Sequence, residues 1–276
     1  MKNSFIIDSA EGNKILCDLT TPLNGYTEEL VIFVHGFKGF KDWGTHNLVA
    51  DYFASHGLAY LKFNFSHNGT TIDDPTNFAD LEAFGRNTFS KELSDLNAIL
   101  DFTFSNKEFT APRKLYLLGH SRGGGISILL TSRDSRVDKL VTWASVAYFN
   151  TLFLHNDIEE WRKTGVITIE NSRTKQQMPL YSTLLDDYEQ NADGLNVNEN
   201  SKKISVPWLI VHGDADPTVN INHAKMLHEH SNSELLVVEN GDHVFGASHP
   251  FKGTQLPQDL QKVCDATIEF FKRVNQ

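Results

Sequence analysis

The segment Lys114-Leu115-Tyr116-Leu117-Leu118-Gly119-His120-Ser121-Arg122-Gly123-Gly124-Gly125 constrains this chain more than any other. It reads as a buried strand running straight into Gly-x-Ser-x-Gly and then into an apolar helical stretch. The pentapeptide alone carries little weight. A strand before it and a helix after it make the setting of a nucleophile elbow, a sharp strand-to-helix turn that lifts the serine hydroxyl above the sheet edge. The flanking residues must be very small because backbone and helix approach closely there, and Gly119 and Gly123 meet that demand. Ser121 is therefore expected to be a nucleophile.

Around this segment, short apolar runs alternate with helical patterns, which predicts a mostly parallel α/β sheet with helices on both faces. Two strands near Ser4–Ile7 and Lys14–Thr20 have no helix between them and suit an antiparallel edge hairpin. Leu30 to Val34 is apolar almost throughout, as in a strand buried on both sides. A helix from about His46 to His56, closed by Gly57, leads to a strand over Leu58–Phe65. Leu93, Leu96, Ile99, Leu100 and Phe104 repeat with a helical period over Ser90–Phe104. Further strands are expected at Lys139–Ala144, Pro207–Val211 and Glu234–Val238, with helices around Asn222–His230 and Leu260–Val274. The alternation breaks between about 148 and 203. There a helical patch near Ile158–Trp161, a hairpin-like Val166–Ile169 with a turn at Asn171-Ser172, and a helix near Tyr181–Glu189 suit an insertion over the sheet.

The chain's 276 residues fit one domain over 1–276 carrying that insertion. A formal net charge of -10, with the acidic residues dispersed, argues against nucleic-acid binding, which needs a basic patch. No run approaches the ~18 apolar residues of a membrane span, so membrane insertion is not expected. The N-terminus lacks the apolar segment of a signal peptide, and Cys17 and Cys264 are too few for a disulfide scaffold. Free thiols and a cytoplasmic location are the expectation. Oligomeric state is left open.

A serine hydroxyl needs a base to take its proton, and an imidazole base needs a carboxylate to hold its tautomer. In sheets that carry such an elbow, the acid and then the histidine follow the serine, each after a strand. The strand ending at Val211 is followed by His212-Gly213-Asp214-Ala215-Asp216-Pro217, and the last strand by Asn240-Gly241-Asp242-His243. Asp216 and His243 are thus placed to converge on Ser121. The strand ending at Val34 runs into His35-Gly36-Phe37-Lys38-Gly39-Phe40. A loop there can aim the Phe37 N–H at developing negative charge, with the Arg122 N–H as second donor. Backbone donors leave the side chains of Phe37 and Arg122 free to vary.

At this point the chain resembles the α/β-hydrolase superfamily. Asn64-Phe65-Ser66-His67-Asn68-Gly69, Asp80-Leu81-Glu82-Ala83-Phe84-Gly85 and the run from His243 to Phe251 are similar to dienelactone-hydrolase-like and cinnamoyl or feruloyl esterase sequences. The resemblance spans nearly the whole chain. It implies an α/β-hydrolase fold, a small-molecule ester substrate with a small or aromatic acyl group, and a lid formed by 148–203. Dienelactone hydrolases proper carry a cysteine nucleophile where Ser121 stands, so their lactone chemistry is not carried over. A thioesterase, an acyltransferase, a small-substrate peptidase or a non-catalytic binding protein on this scaffold remain alternatives.

Rival residues need weighing. Asp214 could take the place of Asp216, but the resemblance favours Asp216; Asp242 suits a loop cap. His35, His120 and His212 suit packed loop positions, and His223, His228 and His230 a surface helix. His249 is placed near the site entrance without a role. No His-x-x-x-His, Walker or Gly-x-Gly-x-x-Gly pattern occurs, so no metal and no cofactor are expected, and Gly123-Gly124-Gly125 is assigned to helix–sheet packing. Tyr148, Phe149, Phe153 and Trp161 could line an aromatic acyl pocket or form the insertion's own core.

Overall fold

Two strands, β1 (Lys2–Asp8) and β2 (Lys14–Thr20), open the chain as an antiparallel hairpin with Phe5 opposite Cys17. They form one edge of a sheet completed by β3 (Glu29–Val34), β4 (Ala59–Phe63), β5 (Lys114–His120), β6 (Lys139–Trp143), β9 (Trp208–Gly213) and β10 (Glu234–Val238). The spatial order is β1-β2-β4-β3-β5-β6-β9-β10. β2 runs antiparallel to β4, and every pair from β4 to β10 is parallel. The computed structural model describes residues 1–25, 27–105, 110–150, 153 and 156–274.

Strand alternation divides the interior in two. Leu30, Ile32 and Val34 of β3 face one core together with Leu96, Ile99 and Leu100 of α3 (Phe89–Ser105) and Ile126 and Leu129 of α4 (Arg122–Thr131). Val31 and Phe33 face the other, with Val49 and Phe53 of α1 (His46–Ser55) and Val263, Cys264 and Phe271 of α10 (Gln258–Lys272). Both faces are covered by helices, which is why the central strands are apolar without a break. Cys17 and Cys264 are both buried free thiols.

Between β6 and β9 the described residues build α5 (Ile158–Thr164), a separate hairpin of β7 (Val166–Glu170) and β8 (Gln177–Tyr181), then α6 (Thr183–Gln190), α7 (Ala192–Leu195) and α8 (Val197–Ser201). Residues 151, 152, 154 and 155 of the expected insertion lie outside the described residues. Tyr181 ends β8 and does not start a helix, because its ring packs flat on Gly85 of α2 (Leu81–Gly85), where a Cβ would come within 2.9 Å. The strand expected over Leu58–Phe65 stops at Phe63, since the Asn64 side chain turns to accept the Lys41 N–H at 2.7 Å. No helix among the described residues is long and apolar enough to cross a membrane.

One buried acid ties a helix to the loop after β4. Asp95 of α3 accepts the Ser66 N–H at 2.7 Å. Burial outweighs the Ser66 hydrogen bonds and pushes its pKa from an ordinary 3.8 up to about 7. A carboxyl whose folded pKa is raised stabilises the fold most below its unfolded pKa, and that contribution is lost as pH rises through the folded value. The melting temperature of Asp95→Asn is therefore expected to fall less than that of the wild type between about pH 5 and about pH 8. Parallel declines in thermal denaturation across that range would contradict this.

Candidate active site

The turn from β5 into α4 holds Ser121 at φ 56 and ψ -122, a region that L-residues avoid. The surroundings enforce it. Ser121 gives its N–H to the Trp143 carbonyl at 2.9 Å, so the turn is pinned to the end of β6. A Cβ on Gly119 would meet the Gly123 carbonyl oxygen and Ser127 Oγ at 2.5 Å each; one on Gly124 would meet Ser145 Oγ at 2.5 Å. The glycine run serves close packing of α4 on the sheet.

Two loops reach this serine. His243, on the loop after β10, has Nε2 at 3.1 Å from Ser121 Oγ and Nδ1 at 2.7 Å from Asp216 Oδ2. Asp216, on the loop after β9, is buried, and its Oδ1 accepts the Thr218 and Val219 N–H groups at 2.7 and 2.9 Å. Burial alone would raise its pKa. Hydrogen bonds from His212, His243 and the Val219 amide outweigh that and hold the carboxyl well below the usual carboxylate range. His212 was read from sequence only as packed; its Nε2 lies 2.7 Å from the Val219 carbonyl and 3.4 Å from Asp216 Oδ2. The rival acids are occupied elsewhere: Asp214 accepts the Asn240 N–H at 2.6 Å, and Asp242 caps its own loop through Val244 and Gly246.

The loop after β3 lies directly against the serine. A Cβ on Gly36 would come within 2.9 Å of Ser121 Cβ, so glycine is needed for this approach. His35 fixes the loop from beneath, with Nδ1 2.9 Å from the Gly36 carbonyl while its Nε2 accepts the Phe65 N–H at 3.4 Å. Arg122 opens α4, and an amide there has no partner within the helix. What the sequence did not disclose is that the Phe37 and Arg122 side chains clasp each other. The guanidinium sits 3.8 Å from the Phe37 ring centroid and 5.1 Å from that of Phe89. Glu92 Oε1, buried on α3, lies 3.3 Å from Arg122 Nη1 and takes a second hydrogen bond from Asn87 at 2.7 Å. No motif marks such a contact, because it joins three segments far apart in the sequence.

Beside Ser121 opens a cleft of about 690 Å³, counting its mouth, within the range of small-molecule sites. Its walls are Phe33, Val49, Trp143, Phe245 and Leu260 from the α1–α10 side of the molecule, together with Trp43 and Lys38 of the loop after β3. Tyr148, Phe149, Phe153 and Trp161 do not line it. Phe149 stacks on Phe89 at 4.3 Å, Phe153 meets Trp161 edge-on, and Trp161 is fully buried with its Nε1 donating to the Leu180 carbonyl. Three of them are core, and Tyr148 packs beside His223. His223, on α9 (Asn222–Glu229), is half-buried, and its Nδ1 accepts the Ala147 N–H at 2.9 Å. His249 stacks on Trp43, one of the cleft walls, and accepts the Gly44 N–H at 2.9 Å. Among the described residues, no group of three or more His, Cys, Asp or Glu side chains could hold a metal ion.

Residues 31–254 match the model of the alpha/beta hydrolase family. The human serine hydrolase BPHL is 26% identical over 188 residues, which cover 62% of this chain and 57% of that protein. The chain thus spans little more than half the length of that relative. Among solved structures, Est1E from Butyrivibrio proteoclasticus with ferulic acid bound superposes with a TM-score of 0.69 at 20% identity, covering 96% of this chain and 97% of that one. Dienelactone hydrolase from Anabaena variabilis gives 0.63 at 17% identity, over 98% and 96% of the two chains. At these identities the likeness is one of fold.

The closest approach in the elbow yields a stability test. An alanine at position 123 would bring its Cβ to 2.2 Å from the Val34 carbonyl oxygen and 2.5 Å from that of His35. Both are backbone atoms of the strand that leads into the loop facing Ser121, so neither can give way cheaply. Gly123→Ala is expected to cost about 4 kcal/mol or more, at the diagnostic end of single substitutions. Urea denaturation showing a loss below about 1 kcal/mol would contradict this packing.

Proposed function

Because the chain belongs to the alpha/beta hydrolase family, we propose that it is a serine esterase acting on small or aromatic acyl esters through an acyl-enzyme. The observation that carries the proposal is the hydrogen-bonded line Ser121 Oγ–His243 Nε2 and His243 Nδ1–Asp216. In this reading Ser121 attacks the ester carbonyl as His243 Nε2 takes its proton. The Asp216 carboxylate, kept ionised by its hydrogen bonds, stabilises the imidazolium. His243 then gives the proton to the departing alkoxide, and water resolves the acyl-enzyme by the same route. No cofactor enters any step.

The Phe37 and Arg122 N–H groups are assigned to the carbonyl oxygen as it becomes an anion, aided by the positive end of α4. The clasp between their side chains would hold the two donors at a fixed spacing. The segment 148–203, expected from sequence as a lid, is anchored by Tyr181 on α2 and by Asp187, which accepts the Ser90 N–H, and none of its described residues lines the cleft beside Ser121.

Two variants test the assignment. Ser121→Ala is expected to lower p-nitrophenyl ester turnover by a factor on the order of 10⁴ or more and to abolish fluorophosphonate labelling. Retained turnover would refute the serine mechanism. Arg122→Ala keeps the backbone donor but loses its side-chain anchor, so kcat should fall about tenfold with KM within about twofold. A rise in KM alone would count against the clasp.

A further inference from the structure

The cleft holds two imidazoles, His46 and His120, for which the esterase mechanism has no use. Each is committed at one ring nitrogen to a backbone carbonyl. His46 Nδ1 lies 3.2 Å from the Phe40 oxygen, and His120 Nε2 lies 2.8 Å from the His243 oxygen. A carbonyl can only accept, so those nitrogens carry the hydrogens. The remaining nitrogens, His46 Nε2 and His120 Nδ1, are then lone-pair acceptors. Neither has a hydrogen-bond partner among the described residues. Nor is either among the sealed partnerless side-chain polar atoms of the described residues, which are Tyr60 Oη, Asn87 Oδ1, Glu92 Oε2 and His212 Nδ1. Both rings line the cleft, so their free lone pairs face space that a ligand can enter.

Burial disfavours protonation of either ring, with His120 pushed down to about 3 and His46 well below its ordinary value. An imidazole that stays neutral keeps its lone pair and cannot pair with an anion. His120 already holds the His243 loop, and its ring lies 4.8 Å from the His243 ring. His46 stands apart from that relay, at the start of α1, packed edge-on against Phe33 and beside Trp43. Both of those neighbours are cleft walls.

We propose that His46 is a specificity-determining residue, and that the cleft takes an apolar part of the ester ending in a hydroxyl that donates to His46 Nε2. This rests on the esterase reading. A hydroxyl-free analogue would leave that acceptor dry and unpaired, and an ether would set its oxygen against the lone pair. A site built to pair with a hydroxyl discriminates far more strongly than an apolar pocket does. Aromatic walls favour a flat carrier for the hydroxyl.

The test compares three p-nitrophenyl esters, of 3-(4-hydroxyphenyl)propanoate, 3-phenylpropanoate and 3-(4-methoxyphenyl)propanoate. A second set carries the same three rings in the alcohol half, as arylethyl acetates. In at least one set the hydroxyl compound should exceed both others in kcat/KM by about tenfold or more. His46→Leu should collapse that ratio towards one. His46→Gln, which offers a carbonyl acceptor, should recover part of it, separating loss of the acceptor from damage to the fold. A flat profile in both sets, or a preference that survives in His46→Leu, would overturn the proposal. Ser121→Ala distinguishes the two levels. If it retains turnover the esterase reading itself fails, whereas if it is inactive and the wild-type profile is flat, only the role of His46 fails.

Discussion

Everything near the cleft depends on one unfavourable backbone conformation, that of Ser121. A residue with a side chain at φ 56 persists only if its neighbours leave it no alternative. Here the carbonyl ends of three parallel strands supply the restraint. β6 takes the Ser121 N–H, while β3 and β5 press so close to α4 that positions 119 and 123 have no room for a Cβ. The strain is thus held by sheet hydrogen bonds and by the absence of side chains. The hydroxyl, pushed clear of the sheet, stands where the loop after β10 reaches it through His243.

The loop opposite the serine is held by different physics. Its near end is fixed by His35 and by the stacking of Phe37 between Arg122 and Phe84. Its far end enters a buried ionic cluster. Lys41 Nζ and Lys62 Nζ lie 2.7 and 2.9 Å from Asp18 Oδ2, and the same two ammonium groups reach Asp42. Burial would raise the pKa of Asp18, yet the two lysines hold it well below the usual range. Such a cluster contributes little net stability, because desolvation offsets attraction, but removing a member unbalances the buried charge that remains. That makes it suited to fixing a position. β2, β4 and the loop after β3 are locked together just upstream of α1, whose first residue is His46.

How much of this was legible in the sequence follows from where each signal resides. The strand, elbow and helix are contiguous, so glycine spacing and apolar runs disclosed them. Asp216 and His243 follow strands whose order the alternation of elements had already laid out, and the structure brings both to Ser121. The clasp of Phe37, Arg122, Glu92 and Asn87 was not legible, because it joins three separate segments and leaves no periodic mark. Nor was the lining of the cleft. The aromatic residues around 148–161 looked as suitable as any for a ring-binding wall, and composition cannot tell a wall from a core. Trp161 is core because Leu180 supplies an acceptor for its indole inside the small hairpin. Trp43 is wall because it sits in a loop whose course depends on the ionic cluster.

The histidines around the site divide by what they meet at the second nitrogen. His35, His46 and His120 each give a hydrogen to a backbone carbonyl within apolar walls. A carbonyl dipole supports an imidazolium far less than a carboxylate does, so desolvation prevails and these rings resist protonation. They act as fixed donors and acceptors, stitching the loops that surround Ser121. His243 meets Asp216 instead, a carboxylate kept ionised by two backbone amides and by His212. On the proposed mechanism, a ring that gains a proton while Ser121 loses one is stabilised by that counter-charge already being in place. Several imidazoles can therefore crowd Ser121 without sharing one role. On the proposed mechanism, the position of a single buried carboxylate decides which of them becomes the base.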